Sequence, residues 1–360
     1  MKYLRKAEGN KPLAVWLVIL LDILLVGVIL LVFAFFHHVL PRMQVQQQLQ
    51  QLQQQQQQTP NHTKPTESTI VQTEATELST DPTVVTTEPD NRTEWQKKFA
   101  DKFTDEVIIT DTSYTSPEVS ITIDKVVTGE GMQRVAYYVA DVYVASIDNF
   151  KTYTPHNQMV FFDTQKAEEM AAESNAILAM SGDFLTYQKN GFLVRNGETY
   201  VADRNASICA LFPDGTMETY DKGSYKVEDI LAREPVHVWS FGPVLLDEQG
   251  QVRDKFDISL AVSYRNPRCG IGYVEPGHYV FITVDGRQDG HSRGMFVDEM
   301  AEVFVERGCK VAYNLDGGGT AVMLFDGDRI SRQSNGQRAL GDILLITETG
   351  YSVHAKEGQE

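Results

Sequence analysis

Three cysteines in 360 residues, Cys209, Cys269 and Cys309, are too few and the wrong parity for a disulfide framework. All three sit in apolar sequence and read as buried thiols, with one bridge left open. Positive charge is scarce as well: 32 Lys and Arg stand against 49 Asp and Glu, for a net charge of −17. That balance excludes the basic footprint nucleic acid requires. His237, His278 and His291 are scattered and lack zinc-ligand spacing. There is no Gly-x-Ser-x-Gly elbow, Walker loop or dinucleotide fingerprint in a strand–helix setting, so no organic cofactor is implied. Acidic loops leave a calcium ion open. No internal repeat is visible.

Long apolar runs are missing except at one place. Leu13 to Phe36 is near-continuously apolar, about 36 Å as a helix, enough to cross a bilayer. Lys2, Arg5, Lys6 and Lys11 precede it and only Arg42 follows closely, which places the N-terminus in the cytoplasm. A cleaved signal peptide would have a shorter apolar core and a small-x-small site, and none follows before Pro41. Residues 1–12 are therefore expected to be a cytoplasmic tail and 13–40 a transmembrane helix that contacts the lipid bilayer. Asp22 inside the span is tolerated by protonation or snorkelling. Gln44 to Gln58 is mostly glutamine, and the sequence to Thr93 is rich in Thr, Pro and Glu. Such composition cannot bury enough apolar surface to offset ordering, so 41–93 reads as a disordered stalk. The expected protein is a single-pass membrane protein with an extracellular ectodomain over 94–350 and a tail over 351–360. Sparse cysteine suits a Gram-positive cell surface. Residues 1–43 carry net +3 and 44–92 net −4, leaving −16 on residues 93–360.

Within the ectodomain, Val119–Ile123 and Arg134–Ala140 have strand patterning, and Gln165–Ser174 reads as a helix. Ala176–Met180 reads as a buried strand and Gly191–Tyr200 as a hairpin. Ile258–Ser263 and His278–Val284 read as central strands. Met295–Arg307 reads as a helix stopped by Gly308. Strands with few helices and no regular βαβ alternation predict an α+β or mixed α/β domain.

The most informative stretch is Asn314-Leu315-Asp316-Gly317-Gly318-Gly319-Thr320. Apolar runs on both sides of one carboxylate and three glycines mark a tight corner. There a carboxylate is held rigidly beside backbone N–H groups able to form an anion-binding nest. An ordinary hairpin turn would carry the same residues, so neighbouring segments matter. They are Ser181–Gly197, Phe241-Gly242-Pro243, Tyr264–Arg268, Val284–Arg287, and Gly294-Met295 with Asp298–Glu302. In this order the blocks resemble the phosphodiester glycosidase family, which includes the mannose 6-phosphate uncovering enzyme and bacterial exopolysaccharide-associated proteins. The resemblance covers residues 175–348. It implies a hydrolase that removes a sugar joined through its anomeric carbon to phosphate, with N-acetylglucosamine or a related sugar in a surface glycopolymer or its precursor as substrate.

That chemistry needs a grip on the phosphate, stabilisation of charge at the anomeric carbon, and directed water. Asp316 is the first candidate for a catalytic carboxylate, followed by Asp183 and Asp285 at other strand-end turns. Glu299 belongs to a block matched by the resemblance, but helical periodicity sets it off the Val297, Met300, Ala301 and Phe304 stripe. Arg265 and Arg268 bracket a proline-stiffened turn and are candidates for a phosphate clamp, since a guanidinium makes paired bonds to phosphate. Arg287, Gly317, Gly318, Gly319 and Arg338 complete the candidate phosphate-binding set. A catalytically silent glycan-binding or assembly factor is the alternative, and a wall-spacing protein a third reading. No protein partner is indicated.

Overall fold

Aliphatic and aromatic runs of strand length dominate the sequence after Thr93, and in the computed structural model they build three antiparallel sheets. The structure describes Leu24 and residues 90–351, apart from 185–190, 204, 333 and 335–337. The chain divides into two units, Met1–Leu78 and Ser79–Glu360. Except for Leu24, the first unit lies outside the described residues, as do the expected membrane helix and nearly all of the expected stalk. Among the described residues no helix is long and apolar enough to cross a membrane.

The largest sheet has seven strands, in the order Ile108–Ile109, Ser113–Thr115, Val119–Thr128, Val135–Val144, His278–Val284, Arg268–Glu275 and Val311–Leu315. A second runs Met217–Tyr220, Ile208–Leu211, His237–Trp239, Phe192–Arg195 and Glu198–Ala202. The third runs Asp328–Arg329, Met323–Phe325, Leu178–Ser181, Ile343–Ile346 and Phe150–Tyr153. Side chains alternate across each strand, so each sheet has two apolar faces to cover. The inner faces share one core containing Phe150, Met180, Cys209, Trp239, Tyr279, Phe281 and Tyr313. Each outer face is covered by a helix. Val297–Glu306 packs Met300 and Phe304 on Val280, Ile282 and Ala312 of the large sheet. Ala167–Glu173 packs Met170 on Leu324 and Leu345, and Val227–Leu231 packs Ile230 on Val194 and Val238.

This is a sheet-rich α+β domain, with the three cysteines buried as free thiols. The folded region begins earlier and ends later than 94–350. Thr93 caps the helix Glu94–Lys98 and donates its hydroxyl to the Ala145 carbonyl at 2.8 Å. Tyr351, expected in the tail, belongs to the shared core, and its hydroxyl donates to Asp326 at 2.7 Å.

One strand expectation is corrected. Ile258–Ser263 contains a short surface helix, Leu260–Ser263, with Leu260 73% exposed. Its carbonyls, and that of Tyr264, are taken by side-chain donors in place of a neighbouring strand. Asn266 Nδ2 donates to Ala261 and Tyr264 at 3.0 and 2.9 Å, and Arg268 Nη2 to Val262 and Tyr264 at 2.6 and 2.7 Å.

Candidate active site

Three strands end close together. Leu178–Ser181 runs into Gly182-Asp183, Val311–Leu315 into Asp316, and Phe192–Arg195 ends on a buried arginine. The Asp316 N–H donates to the Gly182 carbonyl at 2.9 Å, tying the first two ends together. The corner after Asp316 depends on glycine twice. A Cβ at Gly317 would stand 2.6 Å from the Pro267 carbonyl oxygen, and Gly318 has φ +63°. Close backbone approach and a left-handed conformation both favour glycine.

Beside this corner lies a cleft of about 380 Å³. Its lining includes Phe184, Phe241, Asn314, Asp316, the three glycines, Arg268, Arg287 and Arg338, and Asp316 is its single carboxylate among the described residues. Burial pushes the Asp316 carboxyl up to about 7, against the opposing pull of Thr320, Arg338 and the Gly317 N–H. Arg338 Nη2 is 3.6 Å from Asp316 Oδ2.

The candidate arginines separate. Arg265 forms a two-pronged ion pair with Glu299, lies 4.3 Å over the Phe296 ring, and stands outside the cleft lining, as Glu299 does. Glu299 also accepts the Phe296 N–H at 2.9 Å, at the start of its helix. The proposed Arg265–Arg268 pair therefore does not converge. Arg268 does line the cleft, but its Nε donates to the Met295 carbonyl at 3.1 Å and its Nη2 holds the surface helix. Burial, then the charge of Arg287, lowers its pKa to about 10. Arg287 donates through Nε and Nη2 to Asn266 Oδ1, the Nε bond being 3.2 Å, and a Cβ at Gly318 would lie 3.3 Å from Nη2. The convergent basic groups are thus Arg268, Arg287 and Arg338.

Asp183 is fully engaged behind the cleft. It accepts from Arg195 Nη2 at 2.8 Å, from the Ser240 N–H at 3.0 Å and from the Phe241 N–H at 2.9 Å. Arg195 Nε donates to Asp342 at 2.8 Å, and Asp342 accepts the Asp183 N–H at 2.7 Å. Burial pushes the Asp342 carboxyl up, against the attraction of Arg195. This closed set fixes the Gly182-Asp183-Phe184 turn, and Asp183 stands outside the cleft lining. Asp285 accepts from His291 Nε2 at 2.7 Å and from the Arg332 N–H at 2.8 Å, outside the cleft lining, and burial raises its pKa.

The expected nest of bare N–H groups is partly occupied, because the Gly318 N–H donates to the Pro267 carbonyl at 2.9 Å. Sequence reasoning left Arg195, Asp342 and Asn314 unassigned. Asn314 had a visible signal, a lone amide in an apolar strand. Its Nδ2 donates to the Gly242 carbonyl at 2.7 Å, while its buried Oδ1 has no partner among the described residues, an acceptor a bound ligand could satisfy. No group of three or more metal-ligating side chains gathers among the described residues.

The family model for phosphodiester glycosidases matches residues 174–347. The chain is 27% identical over 206 residues to the SPbeta prophage-derived uncharacterized protein YomE of Bacillus subtilis, covering 56% of this chain and 32% of that protein. It is 27% identical over 187 residues to N-acetylglucosamine-1-phosphodiester alpha-N-acetylglucosaminidase of Bos taurus, covering 47% of this chain and 34% of that protein. The chain thus spans about a third of the length of these curated relatives. Its fold is similar to the catalytic domain of the zebrafish N-acetylglucosamine-1-phosphodiester alpha-N-acetylglucosaminidase, auto-inhibited by its pro-peptide. The TM-score is 0.54 at 20% identity, over 68% of this chain and 88% of that one.

Proposed function

We propose, for a chain whose residues 174–347 match the phosphodiester glycosidase family model, that it hydrolyses the bond between the anomeric carbon of a sugar and a phosphate diester. N-acetylglucosamine or a close analogue is the proposed sugar, because the bovine relative is named for that reaction. A surface glycopolymer or its precursor is the proposed source, reached from a membrane anchor over residues 13–40.

The observation that carries this reading is Asp316, the cleft's single described carboxylate, held near pKa 7 beside three arginines. A diester phosphate is a competent leaving group once its charge is held, so strong acid assistance is unnecessary. Arg287 and Arg338 grip the phosphate, and Arg268 adds positive potential from the cleft lining. Asp316 in its ionised form takes a proton from water as the water oxygen bonds to the anomeric carbon. The carbon–oxygen bond to phosphate breaks with its electron pair going to oxygen. Free sugar and a phosphate monoester leave. A base poised near neutral pH suits this step.

The test is release of free sugar from a panel of sugar 1-phosphodiesters, with Asp316→Asn as control. Tight binding without release would place the chain among glycan-binding or assembly factors instead.

A further inference from the structure

We propose a second anion-binding subsite, lined by Arg134, Arg287 and Arg293, that takes a second phosphate of the substrate. It rests on the phosphodiester reading above and names a substrate class for it. A second cavity, of about 490 Å³, shares Arg287 with the cleft, since that residue lines both. Three arginines line this cavity against one acid, Asp289. That is a local excess of positive charge on a domain of net −16.

Two loops build it. The turn Gly131–Arg134 precedes one strand of the large sheet, and 286–293 follows its neighbour. The Arg293 N–H donates to the Arg134 carbonyl at 3.0 Å, which holds the two side by side. None of the three arginines forms an ion pair with a carboxylate among the described residues. Arg293 donates from Nη1 to Gln133, and its buried Nε has no partner among the described residues. Arg287 keeps φ +57°, a left-handed conformation that is costly for a side chain other than glycine. The Asn266 bonds hold its guanidinium, with Nη1 unengaged among the described residues, and the residue lines both cavities. Guanidinium groups without carboxylate partners, set beside a phosphate-binding cleft, suit a ligand that continues into another phosphate. A diphosphate-linked sugar and a repeating phosphodiester polymer both supply one.

The experiment compares three substrates of one sugar on the full chain: a methyl phosphodiester, a diphosphate, and a phosphate–glycerol–phosphate. Wild type should show a KM lower by about tenfold or more for whichever double phosphate fits, the scale of a charge-assisted contact. Arg134→Ala with Arg293→Ala should abolish that advantage and leave the methyl substrate within about twofold. Preference for the diphosphate or for the glycerol-spaced substrate identifies the source. Equal losses on single and double phosphates, or no preference in wild type, overturn the subsite. If no substrate is turned over, calorimetric binding of inorganic pyrophosphate still decides. Weakening by the Arg134/Arg293 variant upholds the subsite although the hydrolase reading has failed, and equal binding overturns it.

Discussion

Nη2 of Arg338 stands 3.6 Å from Oδ2 of Asp316, close enough for charge attraction and too far for a committed hydrogen bond. Arg338 is half-exposed, whereas Asp316 is buried. An arginine so placed can turn to a phosphate without first breaking a strong pair, and doing so leaves Asp316 free to act on water.

Asp316→Asn keeps the shape and removes the base. Turnover should fall at least about 100-fold, ~2.7 kcal/mol of barrier. In wild type, kcat/KM should decline as pH falls through about 7, because the carboxylate must be ionised to accept a proton. A profile flat through that range assigns the base role elsewhere.

The same substitution should stabilise the fold. The Asp316 carboxyl is raised from 3.8 to about 7, so the native state holds a proton that the unfolded chain has lost between those values. Its contribution is neutral below about pH 4, grows unfavourable as pH rises, and is constant above about pH 7. Asp316→Asn should therefore gain on the order of 1–4 kcal/mol at pH 8 and nothing at pH 4. Denaturant titration at both pH values checks the sign.

Arg287→Lys and Arg338→Lys should each weaken kcat/KM on a phosphodiester by about 1–3 kcal/mol, because lysine loses the paired fork. A neutral glycoside of the same sugar should be nearly indifferent. Arg265→Lys should leave kcat/KM on both substrates within about twofold, since its partner is Glu299 in a part-exposed pair. A loss for Arg265→Lys on the phosphodiester but not on the neutral glycoside would instead place Arg265 on the phosphate.

Arg195→Met should be severe for another reason. It strips the counter-charge from Asp183 and Asp342, both fully buried, and breaking such a set costs about 3–5 kcal/mol. The variant should unfold early or fail to accumulate. A well-folded Arg195→Met with normal turnover would mean that the turn at Asp183 does not depend on this set.

Much of this was legible in sequence because it is local. The corner at Asp316, the helix stopped by Gly308, the buried strand His278–Val284 and the off-stripe position of Glu299 follow from periodicity and turn chemistry. What escaped is long-range. Arg195 and Asp342 are 147 positions apart and read as unremarkable charges until the fold buries them together. Arg265 and Arg268 look equivalent on one loop, yet Glu299 captures the first and backbone carbonyls hold the second. Ile258–Ser263 has strand-like composition, but Asn266 and Arg268 take carbonyls of the segment Ala261–Tyr264 and leave it a surface turn of helix.

The most direct measurement is free sugar released from an N-acetylglucosamine 1-phosphodiester by the full chain, wild type and Asp316→Asn in parallel, from about pH 5 to about pH 9. The expected result is free sugar and phosphate monoester in equal amounts, a rising limb near pH 7 in wild type, and loss of about 100-fold or more in the variant. Undiminished release by a folded Asp316→Asn variant, or none by wild type across the sugar panel, would contradict it.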